Sequence, residues 1–253
     1  MGKNKLKKFE EMDTYPHVVQ APFSEVHQNN HELYGRWNEM FFKNNNPVVL
    51  ELGCGKGEYT VGLARLFPQK NFIGVDIKGN RMHRGATDAI HEGLKNVGFL
   101  RTRIEAIHAF FAPSEVDEIW LTFPDPQIKK FRKRLTCSRF LEAYGRFLKP
   151  GGIIHLKTDS LFMYTYTREL LKANGIAPLV DESDLYSCGY QDDILSIQTY
   201  YERKWLEQGI PIKYLKFVLQ KADGLIEPYV DIEPDNYRSA GRGVKPRRTG
   251  NNV

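Results

Sequence analysis

The chain has 253 residues, of which 41% are hydrophobic and 26% are charged. This ordinary globular composition is sufficient for a buried core, and the absence of any run of about 18 apolar residues excludes a transmembrane helix. The basic N-terminus lacks the apolar region of a secretory signal, and the three dispersed cysteines argue against a disulfide framework. We therefore expect a globular protein of the reducing cytoplasm that makes no membrane contact.

The net charge of +5 is concentrated in basic clusters at residues 3–8, 129–134 and 238–248. Clustered lysines and arginines in a nearly balanced protein predict a polyanionic partner. The alternative is that the two terminal clusters only increase solubility. His27 and His31 have the spacing of zinc ligands but lack the glutamate of the HExxH motif, so we expect no metal.

Apolar periodicity predicts an alternation of strands and helices after a polar N-terminal stretch. A helix is expected around residues 32–42, where apolar side chains recur at helical spacing. Strands are predicted at residues 48–52, 72–76, 97–101, 116–123 and 153–157, with two more near 199–202 and 212–219. Helices are predicted at residues 58–67, 82–94 and 139–148, and from a capping serine at 160 to residue 174.

This alternation, with continuously apolar strands, predicts an α/β fold with a mostly parallel seven-stranded sheet and helices on both faces. We expect three regions: a basic N-terminal segment at 1–46, the α/β domain at 47–222 and a basic C-terminal arm at 223–253. In an open sheet of this kind, ligands bind beyond the carboxyl ends of the strands. The residues that follow each predicted strand are therefore the candidate site.

The first strand ends in the segment ELGCGKG at residues 51–57. Gly53, Gly55 and Gly57 permit a tight turn and close approach of a ligand. The segment is not a G-x-G-x-x-G dinucleotide motif, because Glu58 stands where the third glycine belongs, and it is not a phosphate-binding loop. Glu51, just before the turn, suits a cationic or amine-bearing ligand rather than a pyrophosphate.

Two further acids follow the next strands. Asp76 ends the second strand, where an acid typically accepts hydrogen bonds from ribose hydroxyls. Glu105 follows the third, where it would bind an adenine amine or simply begin a helix as a surface residue. A nucleoside with a positive charge and without a pyrophosphate is predicted, and S-adenosylmethionine fits. The alternative is that the glycine turn is tight for structural reasons and binds no cofactor.

The segment IWLTFPDPQIKKFRKRL, at residues 119–135, places an acid beside dense positive charge. Pro124 and Pro126 restrict the backbone around Asp125, which we expect to point out of the end of the sheet beside the cofactor rather than to serve only loop geometry. Many methyltransferases that act on amino groups carry a D-P-P-aromatic signature at this place. This chain has Asp125-Pro126-Gln127 without the aromatic residue, which disfavours an exocyclic amine as the target. The basic residues that follow are predicted to bind phosphates, unless they form only a solvated face: Lys129, Lys130, Arg132, Lys133 and Arg134.

These segments together resemble the bacterial tRNA (guanine-N7)-methyltransferases, which have a Rossmann-like class I methyltransferase fold. The matching pieces are ELGCGKG at 51–57, GVD at 74–76, FPDPQIKKFRKRL at 123–135, GGIIHLKTD at 151–159 and TYYERK at 199–204. The resemblance covers residues 30 to 220 approximately, and the FPDP element with its basic stretch is its specific part.

The resemblance implies a role for each matching residue. The positions that bind S-adenosylmethionine in the family are matched by Glu51, Asp76, Glu105 and Asp125. Asp125 also matches the proposed catalytic acid. Substrate-binding positions are matched by Lys129, Asp159, Thr199, Tyr200, Tyr201 and Glu202, although Asp159 is equally suited to capping the next helix. Tyr200 and Tyr201 stand where the family usually has Lys and Phe, and Gln127 and Ile128 replace the usual Trp and His.

The expected activity is methyl transfer from S-adenosylmethionine to N7 of a tRNA guanosine, at position 46 in the variable loop. Guanine N7 carries an exposed lone pair and needs no general base. Catalysis then depends on extruding the base and placing N7 in line with the methyl group. The alternatives are another nucleic-acid methyltransferase and a non-catalytic tRNA-binding module. The protein is expected to be a monomer or a homodimer.

Overall fold

Eight strands form a mixed sheet in the computed structural model, which describes residues 3–21, 26, 29–190, 192–219 and 223–237. In chain order they are β1 Val18–Gln20, β2 Val48–Leu52, β3 Asn71–Asp76, β4 Val97–Arg101, β5 Val116–Thr122, β6 Leu148–Thr158, β7 Pro178–Glu182 and β8 Lys213–Val218. Their order across the sheet is β1-β4-β3-β2-β5-β6-β8-β7. Among these eight strands, β8 runs in the direction opposite to the other seven and pairs antiparallel with both β6 and β7.

The predicted number of seven strands was wrong. The two strands that the sequence did not reveal, β1 and β7, lie at the two edges of the sheet. Edge strands bury few side chains, so they need no apolar run: β1 is three residues long and only half-buried, and β7 begins with an exposed proline.

Six α-helices accompany the strands in the described ranges. They are α1 Lys3–Asp13, α2 Glu58–Leu66, α3 Gly79–His91, α4 Ser138–Gly145, α5 Leu161–Ala173 and α6 Tyr200–Leu206. A π-helical turn occupies Trp37–Phe42, and 3-10 turns occupy Ile104–Ala109, Phe131–Lys133 and Asp193–Ser196. The helical segment observed at Trp37–Phe42 is therefore shorter than the helix predicted at residues 32–42.

The sheet separates two apolar cores, which confirms helices on both of its faces. Leu50 packs in a core with residues of α4 and α5, whereas its neighbour Val49 packs in another with residues of α2 and α3. Adjacent strand residues point to opposite faces, so β2, which is buried throughout, contributes to both cores. This burial on both faces explains the continuous apolar strands.

The predicted strand at 199–202 was also wrong, because these residues begin helix α6. The Thr199 hydroxyl accepts a hydrogen bond from the Glu202 backbone N–H at 3.2 Å, and the Glu202 carboxylate accepts one from the Thr199 N–H at 3.3 Å. This reciprocal capping box fixes a helix start. Two tyrosines with high strand propensity obscured the T-x-x-E capping signal in the sequence.

Both terminal regions contact the central fold where they are described. Met12 of α1 is buried against α3, and the indole N–H of Trp37 donates to the Phe110 carbonyl at 2.8 Å. Residues 223–237 run along α4 and α5, with Leu225 in a core. The third basic cluster, at 238–248, and His27 lie outside the described residues. The three-region division stays a prediction.

Candidate functional site

The candidate site lies where the strand order reverses. Strands β2 and β5 are neighbours in the middle of the sheet, but β3 and β4 follow on one side and β6 on the other. The loops that leave β2 and β5 therefore diverge and leave a crevice at the carboxyl edge, where ligands bind in open α/β sheets. The glycine turn follows β2, and the Asp125 loop follows β5.

The glycine turn has the left-handed backbone that its sequence predicts. Gly53, Gly55 and Gly57 have φ values of 84°, 57° and 72°. A Cβ atom on Gly57 would lie 2.7 Å from the Phe99 ring, so this glycine also permits close packing against β4. The Gly55 backbone N–H donates to the Asp76 carboxylate at 3.0 Å, which ties the turn to the end of β3.

A cleft brings three of the predicted cofactor residues together. Gly53, Asp76 and Glu105 line it with a basic side chain, Lys133, from the run after Asp125. Its remaining lining is mixed, with four apolar residues and three polar ones: Ile77, Ile104, Leu135 and Phe140, and Thr102, Arg103 and Gln127. Within the described part of the chain, a Cβ atom on Gly53 would contact the Leu135 side chain alone, at 3.9 Å, so a ligand has room to approach the turn. Apolar walls with carboxylate acceptors fit an adenosine.

Glu51 lies beneath this turn and is almost completely buried. Its carboxylate accepts hydrogen bonds from the hydroxyls of Thr60 and Thr122 and from the Thr60 backbone N–H at 2.8 Å. Burial raises the pKa of Glu51 from 4.5 to about 7, although the threonine hydrogen bonds oppose this shift. A cationic ligand above the turn would stabilise the ionised carboxylate.

We expect the affinity for S-adenosylmethionine to depend on the ionisation of Glu51. As pH increases toward 7, the affinity for S-adenosylmethionine should rise about tenfold per pH unit, because a cationic ligand favours the deprotonated carboxylate. Glu51→Gln should bind more weakly and show no such dependence. Calorimetric titrations of both proteins from pH 5.5 to 8 measure this, and parallel pH profiles would contradict it.

The same residue should make folding stability pH-dependent. Because its pKa is higher in the folded protein than the unfolded value of 4.5, its stabilising contribution is full below pH 4.5 and is lost as pH rises through 7. The difference in unfolding free energy between wild type and Glu51→Gln should change over this window by up to about 3 kcal/mol. This provides a control for the binding measurement that needs no ligand.

Asp125 is exposed at the carboxyl edge but does not line the cleft with Gly53, Asp76 and Glu105, so its role in cofactor binding and catalysis stays a prediction. Phe123 and Gln127, two positions before and after it, have positive φ values of 50° and 48°. Such strained backbone costs about 1–3 kcal/mol per residue and is concentrated at functional sites. The Gln127 backbone N–H donates to the Asp125 carboxylate at 3.0 Å, which is the turn contact that the loop-geometry alternative predicts.

Four of the five basic residues after Asp125 are exposed, and the fifth is not. Lys129, Lys130, Arg132 and Lys133 face solvent. Arg134 is buried: its guanidinium donates to the carbonyls of Pro126 at 3.1 Å and Ile128 at 3.0 Å. It also lies over the rings of Phe162 and Tyr166, 4.6 and 4.4 Å from their centroids. Arg134 therefore holds the Asp125 loop against α5.

Asp159, beyond the end of β6, is fully buried. Its backbone carbonyl accepts hydrogen bonds from the Lys213 ammonium and the Tyr237 hydroxyl, both at 2.8 Å. The same hydroxyl lies 3.0 Å from the carboxylate oxygen Oδ2. The cap of the next helix is Ser160, which accepts from the Met163 N–H at 3.0 Å, so Asp159 does not take the capping role.

The T-x-x-E element presents its tyrosines and buries its acid. Tyr200 and Tyr201 are 50% and 42% exposed and meet edge to face, with the Lys56 ammonium 4.1 Å above the Tyr200 ring. Glu202 is fully buried and lies 2.8 Å from the ammonium of Lys157, which is also buried. The element thus lies beside the glycine turn, which contains Lys56.

Comparison with known proteins assigns the family. The model of a family described as "Putative methyltransferase" matches residues 45–215. The tRNA (guanine-N(7)-)-methyltransferase of Bacteroides thetaiotaomicron is 58% identical over 97% of this chain and 97% of that protein. The protein of the same description from Porphyromonas gingivalis is 55% identical over 91% of this chain and 96% of its own length. The chain belongs to the tRNA (guanine-N(7)-)-methyltransferase family.

The fold has a solved counterpart outside this family. The crystal structure of the 16S rRNA methyltransferase KamB superposes with a TM-score of 0.56 over 74% of this chain and 94% of that chain, at 15% sequence identity. This likeness concerns the fold alone. In the described part of the chain, no group of three or more His, Cys, Asp or Glu side chains is arranged to hold a metal ion. None of the described helices combines the length and apolar character needed to cross a membrane.

Sequence reasoning missed several residues that shape the site of this methyltransferase. The sequence indicated only that Lys157 lies in a strand, although it forms the buried ion pair with Glu202. Asp235 and Tyr237 contact the ends of α5 and β6 from a region that we expected to be an arm. Their signal was weak, since isolated acids and aromatics among prolines do not indicate where a chain packs.

Proposed function

We propose that this protein transfers a methyl group from S-adenosylmethionine to N7 of the guanosine at position 46 of tRNA, in the cytoplasm. The observation that carries the proposal is that a cleft lined by Gly53, Asp76 and Glu105 lies at the same edge of the sheet as an exposed acid and a basic run. The identity to tRNA (guanine-N(7)-)-methyltransferases over nearly the whole chain supports it. A monomeric or homodimeric state remains a prediction.

The cleft, together with the glycine turn and the Glu51 carboxylate buried beneath that turn, supplies the contacts that a methyl donor requires. Asp76 offers carboxylate lone pairs to ribose hydroxyls, Glu105 to an adenine amine, and Glu51 a buried negative charge to a cationic tail. Gly53, Gly55 and Gly57 allow the backbone to approach this ligand. S-adenosylmethionine, when bound, supplies an electrophilic methyl group on a sulfonium.

The protein's part in the reaction is positioning. Guanine N7 attacks with its own lone pair, so no side chain has to remove a proton first. Asp125, exposed after β5, is suited to accept hydrogen bonds from the N1–H and amino group of guanine. Asp159, after the neighbouring strand β6, is fully buried with its carboxylate against the Tyr237 hydroxyl, so its position does not support the predicted substrate contact. Tyr200 and Tyr201 offer exposed aromatic faces on which an extruded base or its neighbour can stack.

The exposed basic residues are suited to bind the tRNA backbone, and the buried one is not. Lys129, Lys130, Arg132 and Lys133 present their charges to solvent at the edge where the base must enter. Arg134 contributes indirectly, because its guanidinium is occupied in holding the loop. Thr199 and Glu202 likewise act by fixing the start of α6 beneath the two tyrosines.

Isotopic methyl transfer to tRNA transcripts tests the proposal. The expected product is labelled tRNA that is cleaved by the chemistry specific for 7-methylguanosine, and a transcript with adenosine at position 46 should remain unlabelled. Label without such cleavage would indicate another nucleic-acid methyltransferase. Salt-sensitive tRNA binding without label would indicate a binding module.

We expect reversal of two exposed lysines to weaken tRNA binding generally. Lys129→Glu combined with Lys130→Glu should lower affinity about tenfold and flatten the dependence of log affinity on log salt by about 1 to 2, because each lost phosphate contact reduces the released counterions. The matched control reverses the charges of Lys95 and Lys172. Both are exposed, and they lie toward the amino ends of the strands, away from the candidate site. Filter binding across salt concentrations measures both. Equal losses in the control, or a loss of cofactor affinity, would contradict this role.

A further inference from the structure

A cavity borders the Asp125 loop in addition to the cleft beside the glycine turn. Its volume is about 470 Å³, within the range of small-molecule sites. Different side chains of the loop line the two spaces. The cleft is lined by three of them: Gln127, Lys133 and Leu135. The cavity is lined by three others: Ile128, Phe131 and Arg134. The loop is therefore a wall between two spaces.

Helix α5 and the segment at residues 223–237, called the strap here, complete the cavity. On α5, the buried rings of Phe162 and Tyr166 lie against the Arg134 guanidinium. The strap is fastened to the same helix, because the Glu227 carboxylate accepts a hydrogen bond from the Tyr166 hydroxyl. This carboxylate also accepts one from a backbone N–H of α4 at 2.8 Å. These contacts fix the walls relative to one another, so the cavity exists before any ligand binds.

Phe131 brings an accessible aromatic ring to this cavity from within the basic run. Its side chain lines the cavity and remains 47% exposed. Two exposed cations precede it in the chain and two follow it: Lys129, Lys130, Arg132 and Lys133. Aromatic rings interleaved with positive charge are suited to bind an unpaired nucleotide, because the cations attract its phosphate and the ring stacks on its base.

The strap gives the cavity a wall of the opposite charge. Residues 223–237 are rich in Asp and Glu and contain neither Lys nor Arg. Asp231 is exposed and lines the cavity, where its carboxylate can accept hydrogen bonds. The acidic wall disfavours an acidic peptide or a lone phosphate, and the basic loop disfavours a basic peptide. A nucleotide satisfies both walls, since its phosphate can meet the loop while the amino group of its base meets the strap.

We infer that the cavity binds the base of a nucleotide next to the target guanosine in the tRNA, with Phe131 as its stacking ring. This inference rests on the proposed function and adds a second base to it. The target guanosine enters on the side of the cleft, the backbone passes over the exposed cations of the loop, and the neighbouring base enters the cavity. Holding the neighbour apart removes a stacking partner of the guanosine, which favours extrusion of the target base.

A cycle of changes in the protein and in the tRNA tests the inference. Phe131→Ala should lower kcat/KM for tRNA about tenfold, the typical effect of a lost base–aromatic stack, with unchanged affinity for S-adenosylmethionine. Phe131→Trp should retain activity, because it keeps an aromatic face. Leu179→Ala is the matched control, since Leu179 is an equally exposed apolar residue on the edge strand β7, and it should behave as wild type.

The tRNA half of the cycle uses transcripts with one abasic nucleotide, placed on the 5′ side or on the 3′ side of the target guanosine. One of the two should lower kcat/KM of the wild-type protein about tenfold and cause no further loss with Phe131→Ala, because both changes remove the same stack. Its affinity for the wild-type protein should fall in parallel. The melting temperature of Phe131→Ala should stay close to that of wild type, since the ring is exposed.

The outcomes separate this inference from the proposed function. Additive losses, full activity of Phe131→Ala, or wild-type activity on both abasic transcripts would each overturn the second-base site. Equal losses in Phe131→Ala and Phe131→Trp would also overturn it, because the residue would then shape the loop rather than stack. A wild-type protein that binds the intact transcript without methylating it refutes the proposed function. The same cycle, measured as tRNA affinity, still decides whether the cavity holds a base.

Discussion

Asp125→Ala is expected to lower the rate of methyl transfer at least 100-fold while folding and tRNA binding persist. The carboxylate is exposed and contacts the backbone of its own loop, so its removal leaves the core intact. Two hydrogen bonds to a charged acceptor, at about 1.5–3 kcal/mol each, account for a loss of this size. Single-turnover kinetics with saturating tRNA and cofactor separate the chemical step from binding.

Asp125→Asn distinguishes catalysis from loop geometry. Asparagine retains an oxygen that accepts from the Gln127 N–H and so preserves the turn, but it removes the negative charge. If Asp125 positions the guanine, both variants should be slow. If it only shapes the loop, asparagine should restore turnover, and near-normal turnover of the alanine variant would refute both roles.

The central strands were predictable because their signal is local. All five residues of β2 are buried, and burial on both faces of a parallel sheet requires an unbroken apolar run that the sequence displays. The edge strand β1 carries no such run, because its three residues are only half-buried. Its position depends on pairing with β4, a contact between residues far apart in the chain.

The location of the candidate site was predictable from the sequence, but the direction of its side chains was not. The rule that ligands bind at the carboxyl ends of strands identified Gly53, Asp76 and Glu105, and they line one cleft. The rule does not reveal which way a side chain turns after the strand ends. Arg134 looked equivalent to its basic neighbours, but it turns inward because the rings of Phe162 and Tyr166 lie beneath it.

Glu202→Ala is expected to destabilise the protein by about 3–5 kcal/mol, because it leaves the Lys157 ammonium buried without its counter-ion. Among the residues that the structure describes, the other hydrogen-bond partners of Lys157 are the carbonyls of Leu195 and Ile197, at 3.1 and 3.2 Å. Burial already lowers the pKa of Lys157, so loss of the carboxylate should lower it further. The melting temperature should fall by about 10 °C.

Two comparisons isolate the ion pair from the helix that carries it. Glu207→Ala, at an exposed acid near the end of α6, should leave the melting temperature within about 2 °C. Replacing Lys157 and Glu202 together by methionine should recover most of the lost stability, because no unpaired charge remains. An equally unstable double variant would show that packing, not charge, is what the Glu202 side chain provides.

The double variant also tests how Glu202 serves methyl transfer. We place its carboxylate behind the tyrosine pair, where it caps α6 and binds Lys157, and not against the target base. A stable but inactive Lys157→Met/Glu202→Met protein with normal tRNA affinity would mean that the carboxylate itself meets the guanosine. Restored activity would mean that the T-x-x-E element acts through Tyr200 and Tyr201, whose exposed rings the buried pair holds beside the glycine turn.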